Sequence, residues 1–233
     1  MADLEFHEYA SREHLAEALA TGVAGVLGGG IATRGSANLA VSGGSTPKLF
    51  FEHLSKTEID WAAIKVRLVD ERIVPADHDR SNAKLARDHL LQNRAAAASL
   101  VPYVTDQATP EACAEASEPF MKVKDGRLDA VILGMGTDGH TASFFPGGNR
   151  LLGALDLETD HDIIAMEAPG AGEPRLTMTL AFLLDARFIA LHIEGDEKRR
   201  VYEQAMAATD PLEMPVRSLL QQKVAPVHVF WAP

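Results

Sequence analysis

The chain has 233 residues, of which 46% are hydrophobic and 24% are charged, as in an ordinary globular protein. These proportions exclude collagen-like, coiled-coil and disordered chains, and the length allows a full-sized core without metals or disulfides. Acidic residues (33) outnumber basic ones (22), which gives a formal net charge of −11. This charge argues against a general nucleic-acid or anionic-membrane surface, whereas a small anionic substrate needs only a local positive site.

The single cysteine, Cys113, cannot form an intramolecular disulfide and excludes zinc sites built from several cysteines. Residues 1–5 lack the apolar segment of a signal peptide. The longest apolar stretch, at residues 176–184, is interrupted by threonines and is too short to span a bilayer. We therefore expect a cytoplasmic protein.

Short runs rich in β-branched residues predict buried strands, and helical patterns lie between them. The predicted strands are residues 39–41, 66–69, 130–133, 163–166, 188–193 and 227–231. The predicted helices are residues 11–27, residues 81–98, a helix starting at Pro110 after an N-capping Thr109, and residues 196–208. Glycines 28–30 predict a turn between the first helix and the first strand.

This alternation predicts one α/β domain over residues 1–233, with a doubly wound, mostly parallel sheet that helices cover on both faces. Ligands of such folds bind beyond the carboxyl ends of the strands. The residues that follow each strand are therefore the first candidates for a functional site.

The first predicted strand runs into a turn rich in glycines and hydroxyl groups. The turn consists of Ser42, Gly43, Gly44, Ser45 and Thr46. Pro47 then begins a helix, which Thr46 would cap. Glycines allow a ligand to approach the backbone, and N–H groups at a helix start attract anions, so the pattern indicates a site for a terminal sugar phosphate. An ordinary tight turn has the same composition, and the spacing of a nucleotide-binding P-loop is absent.

A second candidate follows the strand at residues 130–133. Its glycines match the pattern Gly-x-Gly-x-x-Gly, but Pro146 ends any following helix within about two turns, so we expect no dinucleotide site. The loop also contains Asp138, Gly139 and His140. Histidine is the natural base for taking a proton from water near neutral pH, and a neighbouring carboxylate can fix its tautomer. The alternative is a solvated loop histidine.

Charged residues follow other predicted strands. Asp70, Glu71 and Arg72 come after residues 66–69, and Lys198 lies in the first turn of a predicted helix. An arginine can hold a phosphate or an oxyanion, and a lysine at a helix start is unfavourable unless an anion shares the site. Arg175 opens a stretch that we expect to be helical. By spacing alone, these residues could equally be surface charges.

The remaining histidines give weaker signals. Asp77-His78-Asp79 and Asp160-His161-Asp162 could bind a metal, but turn-forming neighbours favour solvated turns. His53, His89 and His228 fall inside helix or strand patterns, which predicts packing or surface roles.

Together these motifs resemble the 6-phosphogluconolactonases of the glucosamine-6-phosphate isomerase/6-phosphogluconolactonase family. The resemblance rests on residues 42–47, 70–72, 81–82 and 133–146, followed by Arg175 and Lys198, and it covers nearly the whole chain. It implies hydrolysis of 6-phospho-D-glucono-1,5-lactone to 6-phosphogluconate, in the oxidative pentose phosphate pathway, without a metal or organic cofactor.

The resemblance also implies roles for individual residues. His140 matches the general acid/base, and Asp138 matches the acid beside it. The phosphate-holding region corresponds to Ser42, Gly43, Gly44, Ser45, Thr46, Arg175 and Lys198. Asp70 belongs to the substrate-binding set, and Arg72 serves the lactone or the phosphate end. We expect Arg72 or backbone N–H groups near Gly139 to stabilise the oxyanion.

Two alternative functions remain open at this point. Glucosamine-6-phosphate deaminases resemble this chain, but their Asp-Gly-His is typically followed by Ile-Ala-Phe-Asn-Glu-Pro, whereas residues 141–146 here have apolar side chains in place of the Asn and Glu. A non-catalytic sugar-phosphate sensor would bind the same ligand without turnover. In each case we expect a small-molecule partner and a monomer or small homo-oligomer.

Overall fold

A computed structural model describes residues 3–123 and 127–233. Within these residues the strands are β1 (Leu4–Glu8), β2 (Ala37–Val41), β3 (Ile64–Leu68), β4 (Asp70–Arg72), β5 (Ser99–Leu100), β6 (Ala130–Leu133), β7 (Ile163–Met166), β8 (Arg175–Met178), β9 (Phe188–Glu194) and β10 (Val227–Ala232). The helices there are α1 (Arg12–Arg34), α2 (Lys48–Leu54), α3 (Asn82–His89), α4 (Pro110–Met121), α5 (Leu151–Leu155), α6 (Leu180–Leu184), α7 (Gly195–Ala207) and α8 (Val216–Leu220).

The central sheet of the described chain has seven strands, and all of its pairings are parallel. Their order is β1-β10-β9-β6-β2-β3-β5. From β2 the chain builds outwards through β3 to β5, and from β6 it builds through β9 to β10 on the other side. The order reverses between β2 and β6, so the loops after these two strands diverge and leave a crevice. The predicted α/β class and mostly parallel sheet are confirmed.

A second sheet, which the sequence did not predict, contains three antiparallel strands in the order β4-β8-β7. Val69 alone separates β3 from β4, and it ties the two sheets together. Its N–H donates to the Val41 carbonyl at 3.0 Å, and its carbonyl accepts from the Met178 N–H at 2.9 Å. The second sheet is thereby fixed beside the carboxyl edge of the central one.

The expectation that Arg175 opens a helix is wrong, because Arg175 is the first residue of β8. This strand lies between two others and is buried throughout, so its residues lack the polar–apolar alternation that marks a half-exposed strand. The helical pattern belongs to α6, which starts after Thr179. The Thr179 hydroxyl caps α6 by accepting from the Phe182 N–H at 3.4 Å.

The predicted turn at residues 28–30 is also wrong, since α1 continues through these glycines and ends before Gly35, which has a φ of +76°. A Cβ atom on Gly30 would lie 2.8 Å from Asp129 Oδ1 and 3.2 Å from Ala37 Cβ. Glycine therefore allows the helix to pass close to the start of the central sheet. The length and composition of α1 would suit a membrane-spanning helix. However, Leu15, Leu19, Val23 and Leu27 are fully buried in the core, as in the core helix of a globular protein.

The helix predicted for residues 81–98 is too long. It ends at His89, and a separate 3-10 helix covers Asn93–Ala97. Asn93 has a φ of +50°, which breaks the helical path, and its side-chain amide donates to the Ser55 hydroxyl at 2.9 Å. The alanines at 95–98 favour a helix locally, but this tertiary contact and the turn before it prevail.

Candidate functional site

A cavity of about 360 Å³ lies where the strand order reverses, at the carboxyl ends of β2 and β6. The sequence-predicted residues in its wall are Ser42, Gly43, Gly44, Ser45, Thr46, Asp70, Arg72, His140, Arg175 and Lys198. Asp138 and Gly139 are outside the wall but immediately precede His140 in the same loop. Residues from both sheets and from the start of α7 thus meet in one place.

The turn after β2 follows the wall closely because of its glycines. A Cβ atom on Gly43 would lie 1.8 Å from Asn82 Oδ1, and Gly44 has a φ of +95°. The Ser42 hydroxyl accepts from the Gly134 N–H at 3.1 Å, which ties this turn to the loop after β6. The predicted cap is wrong by one residue: Pro47, not Thr46, is the N-cap of α2, and no side chain caps this helix.

His140 and Asp138 form a hydrogen-bonded pair at the edge of the cavity. His140 Nδ1 lies 2.6 Å from Asp138 Oδ1, and the His140 backbone N–H donates to the same oxygen at 3.1 Å. Partial burial raises the pKa of Asp138, but the hydrogen bonds and charge of His140 outweigh it and lower this pKa to about 2. The ionised Asp138 accepts a hydrogen bond from the Nδ1–H group of His140, so the proton stays on Nδ1. This leaves His140 Nε2 unprotonated and free to act as the base.

Two neighbours hold the His140 ring. The Phe145 ring stacks on it, with centroids 4.3 Å apart. A Cβ atom on Gly136 would lie 2.1 Å from His140 Nδ1, so glycine is needed for the imidazole to reach Asp138. Gly139 has a φ of +78°, and its N–H donates to the Gly136 carbonyl at 3.2 Å. The backbone N–H groups of Gly139 and His140 are thus both used within the loop.

The strand β4 presents acidic side chains to two different places. Asp70 lines the cavity, where Oδ2 accepts from the Ser143 hydroxyl at 2.7 Å and lies 3.8 Å from Arg175 Nη1. Glu71 is buried against the start of α3 instead, and it accepts from the backbone N–H groups of Asn82 and Ala83 at 2.7 Å. Burial raises the pKa of Glu71, and these hydrogen bonds oppose the rise. Glu71 is therefore a structural cap.

Arg72, Arg80 and Arg175 form a positive wall on one side of the cavity. Arg72 on β4 is the direct partner of Arg175 on β8. The Arg175 guanidinium is oriented by the carbonyls of Ala171 and Glu173 and lies over the Phe145 ring, 5.4 Å from its centroid. The Arg72 guanidinium donates to the Arg80 carbonyl, while its Nε is buried with no partner among the described residues.

Burial lowers the pKa of Arg175, which the Asp70 carboxylate opposes and the charge of Arg72 reinforces. Two carboxylates oppose the three arginines: Asp70 lies near Arg175, and Glu173 pairs with Arg80 at 2.7 Å. The remaining positive charge makes this side of the cavity suitable for an anion.

Lys198 lies on the His140 side of the cavity. Its Nζ donates to the Met135 carbonyl at 2.6 Å, in the loop that carries His140. Burial lowers the pKa of Lys198, and the carboxylates of Glu197 and Asp138 oppose this effect. A half-buried ammonium group beside the histidine can stabilise negative charge that develops there.

Arg80 and His192 are polar residues of the cavity wall that were not predicted from the sequence. Arg80 lies in an exposed turn with no motif. His192 lies inside the apolar run of β9, where its Nε2 contacts Glu194 Oε1 at 3.0 Å and its Nδ1 is buried without a described partner. The signal for His192 in the sequence was a polar residue near the end of a predicted buried strand.

The comparisons with known proteins agree with this geometry. Residues 10–231 match the family described as Glucosamine-6-phosphate isomerases/6-phosphogluconolactonase. The chain belongs to this family.

Related members of the family are similar over nearly their whole length. The 6-phosphogluconolactonase of Rhizobium meliloti is 52% identical, over 97% of this chain and 98% of the relative. That of Mesorhizobium japonicum is 47% identical, over 100% of this chain and 97% of the relative. A crystal structure of a 6-phosphogluconolactonase from Shewanella baltica matches with a TM-score of 0.95 at 39% identity, over 99% of this chain and 98% of that one. The family resemblance inferred from the motifs is confirmed.

Proposed function

We propose that this protein hydrolyses 6-phospho-D-glucono-1,5-lactone to 6-phosphogluconate in the oxidative pentose phosphate pathway. The observation that carries the proposal is the His140–Asp138 pair, 2.6 Å apart, at the edge of a cavity with a wall of arginines. A general base and an anion site in the same cavity fit a phosphorylated lactone. The names of the full-length relatives support this substrate over an amino-sugar phosphate.

The phosphate group of the substrate binds to the positive wall. Arg72 and Arg175 hold it by charge-assisted hydrogen bonds, and Arg80, which is paired with Glu173, lies in the same wall. The turn of residues 42–46 lies in the same cavity and closes around the ligand with its backbone and hydroxyl groups. We therefore propose that Arg72 serves the phosphate end of the substrate.

Neutral His140 acts as the general base. Nε2 removes a proton from a water molecule as the water oxygen attacks the lactone carbonyl carbon, which gives a tetrahedral intermediate with an oxyanion. The bond between this carbon and the ring oxygen then breaks, and the imidazolium returns its proton to the ring oxygen. Asp138 orients the imidazole and stabilises its charged form.

Lys198 is the group that we assign to the oxyanion. The backbone N–H groups near Gly139, which the sequence had suggested for this role, already donate to Gly136 and Asp138. The Lys198 ammonium group lies beside the His140 loop through its bond to Met135. A donor of this kind typically contributes about 3–4 kcal/mol to transition-state stabilisation.

We propose further that the chain acts as one domain, in the cytoplasm, as a monomer or small homo-oligomer. Buried apolar side chains of both sheets belong to one core cluster, which supports a single domain. A phosphorylated sugar does not cross a bilayer unaided, which supports a location in the compartment that makes it.

The proposal is tested by following the decay of freshly generated 6-phosphogluconolactone at neutral pH, with and without the purified protein. We expect acceleration above the spontaneous rate, and a loss of about 10²–10⁴-fold in His140→Ala. His14→Ala, an exposed histidine on α1, is the matched control. A His140→Ala variant with near-normal turnover would show that another group is the base. Ammonia release from glucosamine 6-phosphate would favour the deaminase, and tight binding without turnover would favour the sensor.

A further inference from the structure

Glu5, His7 and His228 bring three metal-ligating groups together at the edge of the central sheet, away from the cavity. Glu5 and His7 are two residues apart on β1, so their side chains project from the same face. β1 pairs with β10 in parallel, and His228 is the partner of Glu5 in this register. The strand pairing therefore assembles the group.

The three ligand atoms form a nearly equilateral triangle. His7 Nε2 lies 3.4 Å from His228 Nδ1 and 3.5 Å from Glu5 Oε2, and the latter two atoms are 3.2 Å apart. A tetrahedral zinc ion with bonds of about 2.0–2.1 Å holds neighbouring ligand atoms about 3.3–3.4 Å apart. One ion above the triangle can therefore bind all three atoms.

Hydrogen bonding alone explains these distances less well. N–H···O hydrogen bonds span about 2.7–3.2 Å, so the Glu5–His228 distance of 3.2 Å is at the upper end of this range and the Glu5–His7 distance of 3.5 Å exceeds it. The 3.4 Å contact between His7 and His228 joins two nitrogen atoms. Three side chains that converge at equal and rather long separations match the spacing that a shared ion requires.

The surroundings hold the two imidazole rings in place. His228 stacks on Phe188 with centroids 5.0 Å apart, and His7 packs against Phe230 at 5.0 Å. The side chains of Glu5, His7 and His228 remain 54%, 35% and 24% exposed, so an ion can reach them from solvent. A rigid pair of imidazoles beside a flexible carboxylate lowers the ordering cost of binding.

We propose that Glu5, His7 and His228 bind a Zn²⁺ ion, with water in the fourth position. Two imidazoles and one carboxylate are a typical ligand set for this metal. The ion cross-links β1 to β10 and so stabilises the pairing of an edge strand. It lies outside the catalytic machinery, and its failure to bind would leave the proposed lactonase activity untouched.

The test uses the full-length protein after treatment with EDTA, titrated with ZnCl₂ by calorimetry and followed by thermal unfolding. We expect Glu5→Gln and His228→Gln each to lose one Zn²⁺ site per chain and the rise in Tm that zinc produces. His14→Gln is the control, since it removes an exposed histidine elsewhere. Glu5→Gln alters the most exposed of the three side chains, so it keeps the test valid if His228→Gln unfolds.

Co²⁺ serves as a spectroscopic probe, because four-coordinate tetrahedral Co²⁺ absorbs visible light strongly. We expect this absorption in the wild type and its loss in Glu5→Gln. The proposal would be wrong if Glu5→Gln and His14→Gln gave the same zinc stoichiometry, the same zinc-induced rise in Tm and the same Co²⁺ absorption. It would also be wrong if the wild-type chain bound no zinc. Lactonase activity, measured in parallel, should be the same with and without zinc.

Discussion

Arg72 and Arg175 are direct partners on adjacent antiparallel strands, so two positive side chains face the cavity side by side. Like charges at such positions repel each other unless an anion lies between them. The carboxylate of Asp70 lies 3.8 Å from Arg175 and offsets only part of this repulsion. The repulsion in the free protein becomes attraction when a phosphate group binds.

Replacement of Arg72 tests this relationship. We expect Arg72→Gln to raise KM for the phosphorylated lactone by about 10–100-fold, because a charged hydrogen bond contributes about 1.5–3 kcal/mol. kcat should change little, since the phosphate is bound equally in the ground and transition states. Steady-state kinetics with Arg87→Gln, an exposed arginine of α3, as the control provide the measurement. An unchanged KM would show that Arg72 does not bind the phosphate group.

Replacement of Lys198 should have the opposite kinetic signature. If its ammonium group stabilises the oxyanion, Lys198→Gln lowers kcat by about 10²–10³-fold and affects KM less. Lys223→Gln, an exposed lysine outside the cavity, is the matched control. A large rise in KM with kcat preserved would instead assign Lys198 to phosphate binding, as the sequence resemblance had implied.

The contacts of Asp138 with His140 predict a pH-dependent contribution to stability. The folded protein lowers its pKa from 3.8 to about 2, so it favours the ionised carboxylate. The resulting stabilisation is fully present above about pH 4 and is lost as the pH falls towards 2. We expect Asp138→Asn to have a lower free energy of unfolding than wild type at pH 7, with a gap that closes below about pH 4. Urea unfolding of both proteins across this range is the measurement, and a gap independent of pH would contradict the pairing.

Gly43 should be intolerant of a methyl group. The added Cβ atom would meet Asn82 Oδ1 at 1.8 Å, so Gly43→Ala should lower the free energy of unfolding by about 1–3 kcal/mol and raise KM. Gly25→Ala is the matched control, because Gly25 is an exposed position of α1 with nothing within 4 Å of the new Cβ. There we expect a gain of about 0.5–1 kcal/mol. Chemical denaturation of both variants distinguishes the two cases.

The strands with continuous apolar runs could be predicted from the sequence because burial on both faces leaves a local signature. Residues 130–133 and 163–166 form β6 and β7 with the predicted boundaries. The edge strands β1 and β5 lack that signature, since only their pairing with a neighbour makes them strands. Sequence patterns report burial, and these two segments are mostly half-buried or exposed.

The parts of the site that could be predicted lie in loops where glycines stand next to polar side chains. The glycines around Ser42 and His140 are such places, because close approach and positive φ angles require them. Arg80 reaches the cavity through tertiary packing, and no local pattern indicates it. His192 is indicated only by its polar side chain within the buried strand β9. The pairing of Arg72 with Arg175 could not be predicted either, because it depends on a strand at Arg175 where the sequence predicted the start of a helical stretch.

The single residue between β3 and β4 sets a limit on how this chain can change in length. Because side chains alternate along a strand, β4 points Asp70 and Arg72 into the cavity and Glu71 towards α3. Insertion or deletion of one residue at Val69 would turn each β4 side chain to the opposite face of the strand. Arg72 would then leave the cavity, and Glu71 would no longer reach the start of α3. We therefore expect natural variants to replace the side chain at position 69 but to keep a single residue between β3 and β4.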